Sequence, residues 1–433
     1  MKGIRAALLL IGLAAFLAVA GGGAAKEPAK TPFLGMVYTG QDSTKLVRLN
    51  PLTLGRRPGR SVQLGTRTTA WSYSPDRSQL VLADNVFSGT LVFVDTRTMR
   101  RIAITDTGSG NGQISATFWP DAQHLYVVRT ALTRRADGGF DSQPAALVTV
   151  DPASRGVVGS KSLDGWVHSW AHADGVLVLL LGPENGIGPA RLAVVGADGS
   201  VRTIALEGVQ VGAERFDPST TPTPIEHHVW PGIAVAPDGS AAFVASPSGI
   251  VAVDLRTLTP SYHGLVRGNR RLQKGAPDGS TRTVQWVQPG VLAFSGSDDH
   301  STVDSDGRVK TDQHPVGVEL VSTKDWTAKM VDAAGSGVSI GADAMLITPW
   351  TWDSKRQQYL GSGATIYDLD GAKRAHVLGK RQVFGAIIGQ RAFLYGDGSS
   401  YSIVSTKTGK VVRTVRHSIP YALVGSAFDF GFG

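Results

Sequence analysis

The chain has 433 residues, 53 of them Gly, with 42% hydrophobic and 18% charged residues and a formal net charge of +8. This composition is too apolar for intrinsic disorder, and the excess of Gly marks a chain rich in turns. The absence of Cys excludes a disulfide framework, thiolate metal sites, a cysteine nucleophile and lipobox lipidation, so packing alone must stabilise the fold.

At the N-terminus, Lys2 and Arg5 precede the apolar run Ala6 to Ala20, which closes on Ala18-Val19-Ala20. A charged start, a short apolar core and a small-x-small ending form a secretory signal peptide, residues 1–20, with Gly23-Ala24-Ala25 as a second possible cleavage site. The competing reading is an uncleaved anchor, since Ala6 to Ala25 carries no charge over a length close to what a bilayer needs. Residues 21–32, ending KEPAKTP, read as a flexible linker, and residues 33–433 as one domain.

Short runs rich in Val, Ile, Leu and Ala then follow one another, bounded by Gly, Pro, Asp or Ser, which is the sequence form of strands joined by tight turns. The first unit supplies only three, Gly35 to Tyr38, Lys45 to Leu49 and Ser61 to Leu64. The next runs from Trp71 through the turn at Pro75-Asp76 to Gln79–Ala83, Leu91–Asp95 and Arg101–Ile104. Similar units start at Ala116, Ser169 and Gly232, with fainter copies at Val284 to Met330, Val338 to Leu378 and Gly385 to Val415.

Asn50, Asp95, Asp151, Asp198, Asp254 and Asp368 occupy equivalent positions, about 45 to 55 residues apart, with one double interval before Asp368 that holds an extra unit near Val321. Four short strands per period without a helical stripe predict an all-β protein, a β-propeller of four-stranded blades. Tyr421-Ala422-Leu423-Val424 is a spare apolar stretch that can complete the first blade and close the ring. The expected count is eight blades, with seven as the alternative.

Ala234-Val235-Ala236-Pro237-Asp238-Gly239, Phe243-Val244-Ala245 and Val251-Ala252-Val253-Asp254 resemble the repeats of secreted bacterial YVTN/WD40-like propellers, as do Pro75-Asp76 and Leu91 to Asp95. The resemblance implies the fold. Propellers of this kind include binding platforms, lactonases and redox-cofactor enzymes, so it does not select a function.

Several constellations bear on chemistry. Gly337-Val338-Ser339-Ile340-Gly341 matches the G-x-S-x-G nucleophile elbow, but it falls on a first strand with no helix after it. Asp298-Asp299-His300 and Asp304-Ser305-Asp306-Gly307 supply oxygen ligands for Ca²⁺ or, in the favoured reading, form a solvated hairpin with an Asp-Gly turn. Trp166, His168, Trp170 and His172 alternate, so a regular strand points all four to one face. His227, His228 and Trp230 precede the corresponding strand of the next unit.

These seven residues are the candidate ligand-binding set at one mouth of the channel, the competing reading being Trp wedged between blades and His bonded to buried backbone. No catalytic residue, metal ligand or cofactor is assigned. The expected function is a secreted or periplasmic, monomeric binding or scaffold module for a protein or a cell-envelope glycan, not nucleic acid. The insertions Thr130 to Pro144 and Gly296 to Val316 would set its specificity. The alternative is a channel-mouth hydrolase acting on a lactone or sugar, with or without a metal.

Overall fold

The computed structural model describes residues 32–424, apart from 41–42, 66–69, 85–86, 136–139, 174, 215–224, 268–276, 354–357, 380, 397–399, 417–419 and 421. The predicted leader, its cleavage sites and most of the linker therefore lie outside the described residues. Among the described residues there is no helix, and the strands fall where the repeat places them.

Each unit is an up-and-down antiparallel meander. Trp71–Tyr73, Gln79–Ala83, Thr90–Asp95 and Arg100–Asp106 form one four-stranded sheet, and Gly232–Val235, Ala241–Ser246, Gly249–Asp254 and Thr259–His263 form another. The same order recurs in the units that begin with Gly112–Phe118, Trp166–Ala173, Gly279–Gln288, Gly337–Ile340 and Val383–Ile388. The N-terminal strands Leu34–Gly40, Ser43–Arg48 and Val62–Leu64 take their fourth partner from the far end of the chain. Ala422–Val424 pairs with Leu34–Gly40 through Met36↔Ala422, Gly35↔Leu423 and Leu34↔Val424.

First strands of successive units lie side by side from Trp71–Tyr73 onward, which is a propeller arrangement. The apolar core is accordingly divided into wedges, each shared by two neighbouring units. Leu180, Leu192 and Val211 of the Trp166 unit pack on Val235, Val244 and Val251 of the Gly232 unit. The circuit closes where Val47 and Leu49 meet Phe393, Tyr401 and Ile403.

Polar side chains stitch the same joints. Ser72 Oγ donates to Thr117 Oγ1 at 2.8 Å and Gln285 Nε2 to the Val338 carbonyl at 2.9 Å, both between first strands, and Ser169 Oγ to the carbonyl of Pro231, just before the next first strand, at 3.1 Å. Farther out, one unit reaches the third-to-fourth-strand turn of the next. Tyr126 Oη donates to the Ala197 carbonyl at 2.9 Å, Arg202 Nη1 to the Arg256 carbonyl at 2.9 Å and Lys329 Nζ to the Asp370 carbonyl at 3.0 Å.

The recurrent Asp is explained by that turn. Asp254 Oδ1 accepts the N–H groups of Arg256 and Thr257 at 2.9 and 2.8 Å, and Asp95 Oδ1 accepts that of Thr98 at 2.6 Å. A carboxylate satisfies those amides while the backbone turns back through positive φ at Leu258 and Met99.

Antiparallel alternation places the first-to-second and third-to-fourth connections on one face of the ring. The second-to-third connections and the links between units emerge on the other. The first face carries tight turns. The second carries the insertions: Phe140–Ser142 pairs with the end of Leu125–Arg134, Val309–Pro315 extends Val291–Val303, and Trp350–Asp353 pairs with Gln358–Gly361. Two of these hairpins, Val309–Pro315 and Trp350–Asp353, pack against each other although they belong to different units.

Candidate binding face

The hairpin face contains most of the seven residues singled out in the sequence, but not as one set. Trp166–Ala173 pairs with Val176–Gly182, and its register shifts between Val167 and Ser169, leaving His168 as an extra residue. Trp166 therefore stands opposite Gly182, whereas Trp170 and His172 stand opposite Leu179 and Leu177, on the other face of the sheet. The expected common face is thus corrected by a β-bulge, which inserts one residue and reverses the alternation.

Beyond the bulge, Trp170 and His172 stack with centroids 5.9 Å apart, and His172 also meets Phe118 at 5.5 Å. These rings lie in the wedge between the Gly112 and Trp166 units, where burial pulls the His172 imidazole down to about 4. Before the bulge, Trp166 Nε1 donates to Ser142 Oγ at 3.0 Å, and Ser142 donates to Glu184 Oε1 at 2.6 Å. His168 Nε2 bonds the Pro183 carbonyl at 3.1 Å, which requires the proton on that nitrogen.

His228 and Trp230 form a second group. Their strand, His228–Trp230, bridges two units: it pairs antiparallel with the end of Val201–Ala213 and parallel with Gly279–Gln288, through His228↔Gly279 and Trp230↔Thr281. The His228 ring lies over Gly279, where any Cβ would collide with it, and stacks on Trp230 with centroids 4.1 Å apart. His228 Nε2 stands 3.7 Å from Asp299 Oδ2, too long for a hydrogen bond. No ring contact or hydrogen bond among the described residues joins this group to Trp170 and His172.

Carboxylates missed in the sequence surround that pair. Asp278 Oδ2 accepts the Ser301 N–H at 2.6 Å, and its carbonyl accepts the His228 N–H at 3.3 Å. Desolvation pushes the Glu226 carboxyl up. Asp299 is pushed up to about 7 by burial and by the charges of Asp298, Glu226 and Asp278, against a lowering bond from Gln313. Burial, with His227 alongside, pulls His228 down to about 4. Glu226 flanks the His pair and Asp278 precedes the Gly that faces it, but neither spacing announces a site until the bridging strand brings them together.

The remaining motifs are occupied otherwise. Ser339 lies on the first strand Gly337–Ile340, and its Oγ accepts the Ile387 N–H at 3.0 Å, stitching two units. Asp298 Oδ1 receives Arg282 Nη2 at 2.8 Å and Ser280 Oγ at 3.0 Å. Asp304 caps its own turn through the N–H groups of Asp306 and Arg308 and meets Lys310 Nζ at 2.9 Å, as the solvated-hairpin reading expects. Among the described residues, no group of three or more His, Cys, Asp or Glu is placed to hold a metal ion. No described helix is long and apolar enough to cross a membrane.

These features define an all-β propeller with one elaborated face. No family model and no curated protein matches the sequence. Among solved structures, the chain is similar to dihydro-heme d1 dehydrogenase NirN in complex with DHE, at TM-score 0.55 and 12% identity over 93% of this chain and 77% of that one. BamB from Moraxella catarrhalis aligns at TM-score 0.45 and 12% identity over 80% of this chain and 87% of that one. The computationally designed Ika8 protein aligns at TM-score 0.48 and 10% identity over 83% and 93%. At such identity, the likeness to NirN speaks for the fold alone.

Proposed function

We propose that the protein is an extracytoplasmic, monomeric β-propeller of eight blades, of the YVTN/WD40-like kind, that binds a protein or a cell-envelope glycan on its hairpin face. The observation that carries this reading is the asymmetry of the ring, with tight turns on one face and the paired insertions on the other. A rigid scaffold that confines its variable loops to one side presents them to a partner. The eight wedge cores among the described residues support the blade count, and the Lys2 to Ala20 segment supports export.

Within the face, Trp166 and Trp230 are each half-buried and border His168, His227 and His228, so they are the proposed ligand contacts. Trp170 and His172 contribute by fixing the wedge beneath. The test is titration calorimetry of the chain from residue 21 against envelope polysaccharides, peptidoglycan fragments and envelope protein extracts. Binding weakened at least tenfold by Trp166→Ala or Trp230→Ala, and unchanged by Asp238→Ala on the opposite face, supports the reading. Loss only with the tight-turn variant overturns it.

A second reading, a channel-mouth hydrolase, has one observation in its favour: a carboxyl held near neutrality beside an imidazole, at Asp299 and His228. It predicts turnover of a lactone or glycoside that Asp299→Asn abolishes.

A further inference from the structure

The tight-turn face of the ring is divided by charge. In the first unit the third-to-fourth-strand connection, residues 50–61, holds Arg56, Arg57 and Arg60, all exposed. That loop is folded on its own backbone: Leu49 bridges Arg56, Arg57 N–H donates to the Arg48 carbonyl at 2.9 Å, and Asn50 Oδ1 accepts the Leu52 N–H at 2.8 Å. The corresponding turn of the Trp71 unit, with the start of its outer strand, exposes Arg97, Arg100 and Arg101. The two connections are neighbours, because Arg48 Nη2 donates to the Thr96 carbonyl at 3.1 Å and Met99 packs in one wedge with Leu34 and Val62. On the other side of the first unit, Phe393 and Tyr401 of the Val383 unit pack with Leu54, and that unit's own turn exposes Lys407 and Lys410.

Carboxylates do not balance this sector. Among the described residues its turns contain Asp76 and Asp95, and each is engaged in its own turn: Asp76 Oδ1 accepts the Ser74 hydroxyl at 2.7 Å and the Ser78 N–H at 3.1 Å, as Asp95 accepts that of Thr98. The acidic side chains of the two terminal segments outside the described residues, Glu27 and Asp429, are matched in number by Lys26 and Lys30. Round the rest of the same face, Asp121, Asp151, Asp198, Asp238, Asp254 and Asp368 occupy turn after turn, with cations such as Arg256, Lys324 and Lys373 scattered among them.

We propose that the cationic sector docks the ring on an anionic lipid membrane. Guanidinium groups on exposed turns pair with lipid phosphates, and short turns leave little to hold them away from a flat surface. Two further features favour a bilayer over a soluble polyanion. Leu52, 45% exposed at the tip of the first loop, stands beside the arginines, where it enters the headgroup region as they meet the phosphates. The described chain also starts on this face: the Phe33 carbonyl accepts the Leu49 N–H at 2.8 Å, and the six residues 26–31 join Pro32 to the uncharged run Ala6 to Ala25. While that run is attached, its tether brings this face to the membrane, and the chain without it keeps the cationic contacts. Docking by this sector turns the hairpin face away from the bilayer, and it holds whether that face binds or catalyses.

Flotation of the chain from residue 21 with vesicles tests it, using phosphatidylcholine alone and phosphatidylcholine with about 30% phosphatidylglycerol. In about 0.1 M salt the protein should float with the anionic vesicles and not with the neutral ones, and about 0.5 M salt should release it. The triple variant Arg56→Glu, Arg57→Glu, Arg100→Glu should partition about tenfold or more weakly. A matched variant, Arg256→Glu, Lys324→Glu, Lys373→Glu, changes the net charge equally on the other part of the same face and should stay within about threefold of the wild type. If the first variant does not fold, the milder Arg56→Gln, Arg57→Gln, Arg60→Gln carries the same comparison. Equal flotation with both kinds of vesicle, or equal loss in the two triple variants, overturns the proposal. Retention on dextran sulfate without flotation also overturns it, and assigns the sector to a soluble polyanion.

Discussion

The guanidinium of Arg129 fills the space that a side chain at Gly112 would need: a Cβ there would lie 2.5 Å from its Nε. Arg129 is 8% exposed, and its Nη2 donates to the carbonyls of Ser109 and Asn111, both at 3.2 Å, with those of Gly108 and Gly110 slightly farther off. Its Nε is buried without a partner. The Gly-rich link between two units is thus folded around a cation, whose charge is offset by carbonyl dipoles. Gly112→Ala should cost about 1–3 kcal/mol through overpacking. Arg129→Ala should cost about 2–4 kcal/mol, by exposing the carbonyls to a cavity. Urea denaturation of both single variants and the double variant checks the coupling, and the double variant should lose less than the sum.

The turn Asp residues make the fold acid-sensitive. Hydrogen bonds from Thr98, backbone first, hold Asp95 below the ordinary carboxylate range, and those from Thr257 do the same for Asp254. A carboxylate whose folded value is depressed stabilises the fold above its unfolded value of 3.8, and that stability is lost as pH falls through the folded value. Asp254→Asn should therefore lower the melting temperature at pH 7 and narrow the gap between wild type and variant below pH 3. A gap that stays constant across that range would show that the carboxylate charge is not what holds the turn.

His172 shares the pH sign of the caps for a different reason, burial that disfavours its charged form rather than hydrogen bonds that favour one. Its imidazole is pulled down to about 4 from an ordinary 6.5, so the unfolded chain takes up a proton that the folded chain refuses between those values. Stability from this group is complete above 6.5 and is lost as pH falls towards 4. His172→Phe, which keeps the stack on Trp170, should retain about 2 kcal/mol more of its neutral-pH stability at pH 4.5 than the wild type does. Paired urea titrations at pH 7.5 and 4.5 measure it.

The repeat, its turn Asp residues and the C-terminal strand were legible because they rest on local chemistry. An alternating apolar run bounded by Asp-Gly or Pro-Asp can do little but turn and pair. The face on which Trp166, His168, Trp170 and His172 lie was not legible, since one extra residue at His168 reverses the alternation and nothing in WVHSWAH marks it. The Glu226–Asp278–Asp299 cluster was hidden for a different reason. Its members meet only because a strand leaves one unit and pairs with another beyond its neighbour, a nonlocal pairing that repeat phasing does not encode. Exposed apolar residues such as Val158 and Val412 have the same origin, since each is the extra residue of a bulge in an outer strand. The local twist at such positions protects the sheet edge from pairing with another molecule.

The pairing of Leu34–Gly40 with Ala422–Val424 joins the two ends of the described chain, and its removal should affect the whole ring rather than one blade. Leu34, Met36, Ala422 and Val424 lie in the wedge shared with Leu80, Leu82 and Val92, while Leu423 lies in the wedge on the other side. Losing the strand therefore strips two adjacent wedges and frees the hydrogen-bonding edge of Leu34–Gly40, which could then template pairing between molecules. A chain ending at Pro420 should melt at a lower temperature, and light scattering should reveal association that full-length protein lacks. Leu423→Asp, which keeps the strand but places an unpaired charge at a site 2% exposed, should cost about 3 kcal/mol or more while leaving the chain length unchanged. If both variants unfolded like the wild type, the terminal strand would be an accessory and the ring would hold through the other wedges alone.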